Sequence, residues 1–252
     1  MALRQKIAAA LGEVKREEAR KILLETLPNA AMGLQTAIGV ALASTTQGAE
    51  ALLEAAEAGK ISARLLQERS VRDRIVAAKA ANAADRIEKL TAALPALSGE
   101  RQKIIDQRFA AFNPAEASAE RGAAVFKQYC AVCHSIDGQG ALIGPQLDGV
   151  GARGAERIIE DILDPNRNVD VAFRTTLLVM KDGDVQSGLF RREEGEVIVL
   201  AQGNGQEISV PKKDVQERRE TGTSLMPDNF AEAIKEGEFK DLMGFLVSKR
   251  AK

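Results

Sequence analysis

The sequence predicts a mainly α chain in two parts. A helical, repeat-like domain spans residues 1–112, and a second domain spans 113–252, its helices interrupted by a small antiparallel sheet at about 171–220. Three observations predict this. Apolar residues recur at helical spacing through the first part. Asn113-Pro114 ends that pattern. Beyond Asp164-Pro165 the chain changes to short β-branched runs separated by Gly-containing turns.

In the first part, Ile7-Ala8-Leu11, Ala19-Ile22-Leu23-Leu27, Ala37-Val40-Ala41 and Ala49-Leu52-Leu53-Ala56 each place apolar groups on one helical face. Ser70 followed by Asp73 reads as a cap opening one long helix from Val71 to about Leu94. Gly33, Gly48 and Gly59 punctuate the rest, and aromatic residues are absent before Phe109, so the helices can pack closely. Ala19, Ile22 and Leu23 recur thirty residues later as Ala49, Leu52 and Leu53. That faint repeat suggests a short α-solenoid of HEAT-like helix pairs, with an irregular helical bundle as the alternative.

In the second part, a helix over about Ala115–Tyr129 delivers Cys130, and another runs over Ala155–Leu163. Phe173–Met180, Val185–Arg191, Glu196–Leu200 and Glu207–Val210 read as strands. Asp182-Gly183, Glu194-Gly195 and Gly203-Asn204-Gly205 between them are hairpin signals. Lys212-Lys213-Asp214 and Glu217-Arg218-Arg219-Glu220 read as solvated charge, Thr221–Pro227 as a turn, and Phe239–Lys249 as a closing helix.

A net charge of −1 argues against nucleic acid as a partner. Residues 1–112 hold 17 Lys/Arg against 13 Asp/Glu, and the remainder 18 against 23, an asymmetry that could steer a charged redox partner or simply reflect two solvated surfaces. No apolar run approaches the roughly 20 residues of a membrane helix. No secretory signal is visible at the N-terminus, which leads from Met1-Ala2-Leu3 into a helix.

The most informative motif is Cys130-Ala131-Val132-Cys133-His134. It holds both cysteines and the sole histidine of the chain. Two thiols at this spacing can form thioethers with the two vinyl groups of one haem, and the adjacent histidine then sits beneath the iron. A thioredoxin-like dithiol needs a preceding strand, whereas a helix precedes this motif. A zinc site needs four ligands, more than this motif offers. Covalent haem c, one per chain, is the cofactor expected. Because such haem is attached outside the bacterial cytoplasm, the chain is expected to be extracytoplasmic, a mature or excised piece of a longer secreted protein.

No second histidine exists to complete the iron's coordination, so a methionine sulfur is the expected partner. Met1 is terminal, Met32 lies in the helical part, Met180 in a strand, and Met243 on the buried face of the last helix. Met226 sits in a turn, Ser224-Leu225-Met226-Pro227, where the proline fixes the loop; it is the expected ligand, with a packing role as the alternative.

With these residues the sequence resembles class I cytochrome c. Gly122 and Phe126 match the first helix of that family, and Asp241-Leu242-Met243-Gly244-Phe245-Leu246 resembles its closing helix. Gly144-Pro145-Gln146-Leu147 resembles its Gly-Pro-x-Leu segment. The resemblance implies a cytochrome c fold in which the Pro145 carbonyl accepts a hydrogen bond from His134, and in which the first and last helices cross at Gly122. A narrower resemblance rests on Gly149-Val150-Gly151-Ala152-Arg153, Ile162-Leu163-Asp164-Pro165-Asn166, the sheet insertion and the Met226 turn. These are similar to the planctomycete and verrucomicrobial haem-binding domain found at the end of large dehydrogenase-like proteins. By its place in that motif, Arg153 is expected to donate to a haem propionate, with a surface salt bridge as the alternative.

The expected function is one-electron transfer, not catalysis. The electron donor would be a sugar- or alcohol-type dehydrogenase and the acceptor another cytochrome or an oxidase. A redox or gas sensor that releases its methionine is the alternative, and peroxidase chemistry a weaker third.

Overall fold

The computed structural model describes residues 3–94 and 99–250. Met1 and Ala2 therefore lie outside the described residues. The chain divides into two compact units, 1–99 and 100–252.

The first unit is entirely helical among its described residues: α1 (Leu3–Glu13), α2 (Glu17–Thr26), α3 (Met32–Leu42), α4 (Thr46–Glu57), α5 (Arg69–Ala77) and α6 (Ala83–Thr91). Leu23, Ile38, Leu52, Leu53, Leu65 and Ile75 form its core. Burying a side chain of this size contributes about 1.5–3 kcal/mol, so this core holds the unit together. α1 lies directly on α3, because Gly12 leaves no Cβ to meet that of Ala41, which would be 2.8 Å away. The expected long helix over Val71–Leu94 is instead two helices. Tertiary partners end the first: Thr46 Oγ donates to the Ala78 carbonyl at 2.7 Å, and the Glu50 carboxylate accepts from the Ala81 N–H. Lys79 and Asn82 take left-handed backbone between the two helices. Arg86 then bridges Glu50 at 2.7 Å and Glu57 at 2.6 Å. The two helices of the faint repeat do not present equivalent faces, since Ile22 is half exposed whereas Leu52 is fully buried.

The second unit opens with α7 (Gly99–Ala111), earlier than the expected boundary at Asn113-Pro114. The reason is packing: Ile105 is buried in the core of this unit with Phe126, Ile159, Phe239 and Leu242. α8 (Ala119–Tyr129) is capped by Ser118, whose hydroxyl accepts from the Arg121 N–H. It crosses the last helix, α11 (Glu236–Ser248), at Gly122, where a Cβ would lie 2.0 Å from the Asp241 carbonyl oxygen. The Phe126 and Phe245 rings meet beside the crossing, 5.5 Å between centroids. The Asp241 carboxylate pairs with Arg121 at 2.6 Å and accepts from the Ser118 N–H at 2.7 Å. α9 (Ala155–Leu163) ends at Asp164-Pro165 as the sequence predicts, and a short α10 (Phe230–Ala233) precedes α11.

Between α9 and α10 lies a five-stranded antiparallel sheet: β1 (Arg174–Met180), β2 (Val185–Glu194), β3 (Val197–Ala201), β4 (Glu207–Pro211) and β5 (Val215–Ser224), in the order β4-β3-β2-β1-β5. Leu178, Met180, Ile198, Leu200 and Val210 give the sheet its own small core. β5 is the strand that sequence reading assigned to solvated charge and a turn. It pairs with β1, Leu177 opposite Arg219 and Leu178 opposite Arg218. An edge strand with mostly exposed, charged side chains shows no alternation of apolar residues, so its signal is absent. Its charge is also structural, for the Arg218 guanidinium lies 4.0 Å over the Phe190 ring.

Candidate cofactor site

The Cys-x-x-Cys-His segment is the continuation of α8. The Cys130 N–H donates to the Phe126 carbonyl at 2.8 Å, and the His134 N–H donates to the Cys130 carbonyl at 2.9 Å. Both thiols thus lie within about one helical turn, and both cysteines are free of disulfide bonds. The chain then folds back onto the motif, with the Ala141 N–H donating to the Ala131 carbonyl and the Gly144 N–H to that of Cys133. Two glycines permit this. Gly140 has φ +106° and faces the His134 carbonyl oxygen, which a Cβ would approach to 2.1 Å. Gly144 lies against the imidazole itself, where a Cβ would be 2.7 Å from Cε1.

The Pro145 carbonyl oxygen is 2.8 Å from His134 Nδ1. A carbonyl can only accept, so Nδ1 carries a proton, and in the neutral ring Nε2 keeps its lone pair. Burial lowers the imidazole pKa, opposed by the Pro145 hydrogen bond, which favours the protonated form. Burial, with a smaller contribution from the neighbouring Cys133, pushes the Cys130 thiol up to about 12, and burial alone raises Cys133. Thiols held protonated are poor dithiol reductants. Among the described residues no group of three or more His, Cys, Asp or Glu is arranged to hold a metal ion.

The methionines separate by environment. Met32 belongs to the core of the first unit, Met180 to the core of the sheet, and Met243 is fully buried on α11. Met226 is half-buried in a loop and packs against the same apolar cluster as Cys130 and Leu147. Its neighbour Leu225 packs with Cys133 and Phe173 around Ile143 and Leu189. The sheet reaches the motif as well: Cys133 Sγ lies 3.8 Å from the Gly203 carbonyl oxygen, and Arg191 donates to the Leu142 carbonyl at 3.0 Å.

Arg153 pairs with Asp161 at 2.8 Å through Nη1, and its Nε is buried without a hydrogen-bond partner among the described residues. Sequence reading missed Arg157, almost wholly buried beside the same aspartate at 2.9 Å. It also assigned no role to Asn166, whose Oδ1 accepts from the Ser224 N–H at 2.8 Å, or to Arg101, which bonds Asp228 at 3.0 Å. Asn166 lies in a visible Asp-Pro-Asn motif; Arg101 carried no signal at all.

Two free thiols one turn apart, a neutral imidazole with one open nitrogen, and a thioether sulfur in the shared apolar cluster fit a covalently held haem. Among the described residues no helix is long and apolar enough to cross a membrane. No curated protein matches the chain. Residues 119–181 match the family model described as Cytochrome c. The match runs from α8 through the Cys-x-x-Cys-His motif and α9 to the end of β1, so the chain carries a cytochrome c domain.

Proposed function

We propose that the second unit binds one haem c and serves as a one-electron carrier. The observation that carries this reading is the His134–Pro145 hydrogen bond. It fixes the imidazole tautomer and leaves Nε2 as a ligand of the correct protonation state, beside two thiols positioned for thioether bonds. The haem supplies an iron that alternates between ferric and ferrous states. Cys130 and Cys133 would hold the group covalently, and His134 and Met226 would ligate its iron. Gly144, Pro145 and Leu147 would shape the histidine side. Arg153 would offer its buried Nε to a propionate while Nη1 stays on Asp161. With His134 and Met226 both held to the group, this chain would leave no open position for a substrate, which suits electron transfer rather than catalysis.

The proposed setting is extracytoplasmic. The donor is a sugar- or alcohol-type dehydrogenase, and the acceptor a second cytochrome or an oxidase. The first unit would serve as a helical scaffold, and the whole would be of the planctomycete and verrucomicrobial type. One observation favours the sensor alternative: β5 ends at Ser224, two residues before Met226, so the sheet leads directly into the methionine loop.

Spectroscopy decides between them. The ferric protein is expected to show a methionine-to-iron charge-transfer band, and the ferrous protein to resist carbon monoxide. Met226→Ala should abolish the band while haem stays covalently attached, and replacing both cysteines by alanine should abolish attachment. Ready carbon monoxide binding by the unsubstituted protein would overturn the carrier in favour of the sensor. A band that survives Met226→Ala would move the ligand elsewhere.

A further inference from the structure

The segment that carries Met226 is pinned on both sides. Upstream, the Ser224 N–H donates to Asn166 Oδ1 at 2.8 Å, and the Ser224 hydroxyl accepts from the Met226 N–H at 3.1 Å. Downstream, the Arg101 guanidinium pairs with the Asp228 carboxylate at 3.0 Å and donates to the Asp228 carbonyl at 3.2 Å. The same guanidinium donates to the Leu163 carbonyl at 3.1 Å. Leu163 is the last residue of α9, and Asn166 lies three residues further on. Both anchors therefore fasten the loop to one place, the C-terminal end of α9, and leave only Leu225, Met226 and Pro227 between them.

We propose that Asn166 and Arg101 are positioning residues that set how firmly Met226 occupies the iron's sixth position. The proposal rests on the reading of Met226 as that ligand. A sulfur on a free loop must give up the loop's conformational freedom each time it binds. A loop already fastened at both ends has little left to lose. An outside ligand binds only the fraction of molecules whose methionine is off, so its apparent affinity measures the grip directly. Arg101 stands on α7, outside the stretch that matches the cytochrome c family. Through it, a helix preceding the family core takes part in iron ligation.

The test uses the full-length, haem-loaded ferric protein, with cyanide as the competing ligand and the methionine-to-iron band as a second readout. Arg101→Ala removes the ion pair and its two carbonyl bonds, and its cyanide affinity is expected to rise about five-fold. Asn166→Ala removes a neutral bond and is expected to raise it about five-fold. Asn166→Asp retains the accepting oxygen and is expected to restore the affinity of the unsubstituted protein. Ser224→Ala keeps the backbone anchor and loses only the hydroxyl, so it serves as the mild variant should either alanine variant misfold. Lys249→Ala breaks an ion pair to Asp137 elsewhere in the unit and should leave cyanide binding unchanged.

Unchanged affinity in the Arg101 and Asn166 variants, with the band intact, would overturn the clamp alone. An equal rise in Lys249→Ala would overturn it too, as general loosening. Absence of the band from the unsubstituted protein would overturn the Met226 assignment and the clamp with it.

Discussion

At the scale of single residues, the histidine side of the site depends on an absent atom. Gly144 lets the backbone lie against the His134 ring, and an added Cβ would sit 2.7 Å from Cε1, closer than van der Waals contact. Gly144→Ala should therefore turn the imidazole or push the Pro145 carbonyl away, at an overpacking cost of about 1–3 kcal/mol. The expected result is a variant that still attaches haem but has an altered reduction potential and a lower melting temperature, read by redox titration and thermal unfolding. The Cys-x-x-Cys-His segment stood out in the sequence because its chemistry is local: two thiols and an imidazole within five consecutive residues. The partnership of His134 with Pro145 was implied by the family resemblance of Gly144-Pro145-Gln146-Leu147, and the two atoms do meet. Asn166 and Arg101 were not legible. A polar side chain that bonds a residue far along the chain leaves no pattern around itself, and only the fold reveals what it meets.

At the scale of elements, the α8–α11 crossing was foreseen from Gly122, Phe126 and Phe245, while its polar lock was not. Asp241 is held below the usual carboxylate range, chiefly by its hydrogen bond from Arg121 and next by the Ser118 N–H. A depressed carboxylate stabilises the fold above its unfolded pKa and loses that contribution as pH falls through the folded value, so the loss belongs below about pH 4. Asp241→Asn should lower stability at pH 6 and flatten the acid limb of a urea-unfolding series between pH 6 and 3. Parallel acid limbs in the two proteins would assign the acid sensitivity to other carboxylates.

The missed β5 and the broken Val71–Leu94 helix share a cause. In each, tertiary partners outweighed local preference: β1 recruited a charged strand, and Thr46 and Glu50 capped a run that could have stayed helical.

At the scale of the molecule, the important correction is where the second unit begins. Asn113-Pro114 is a real break in helix periodicity, but a break in local structure is not a break in packing. α7 stands before it and belongs with the helices C-terminal to it: Ile105 is buried in their core, Arg108 donates to the Ala231 carbonyl at 3.2 Å, and Gln102 accepts from Arg167 at 2.7 Å. A fragment of residues 100–252 should fold cooperatively and attach haem. A fragment of 113–252 should leave the Ile105 pocket empty and unfold at lower denaturant. In the full chain, Ile105→Ala should cost about 2–5 kcal/mol, the range for emptying a buried aliphatic site. Equal denaturation midpoints for the two fragments would place the boundary back at the proline.

The Arg101–Asp228 bond also has a temporal consequence, because it joins positions 127 residues apart. The His134–Pro145 bond spans 11. Closing a long loop costs more entropy than closing a short one, so the longer contact forms later. The histidine side can therefore assemble early in folding, whereas the Met226 loop must wait for the segment around Asp228 to return to α7. On the proposed ligation by Met226, the haem spectrum of the refolding protein would then report when the chain closes.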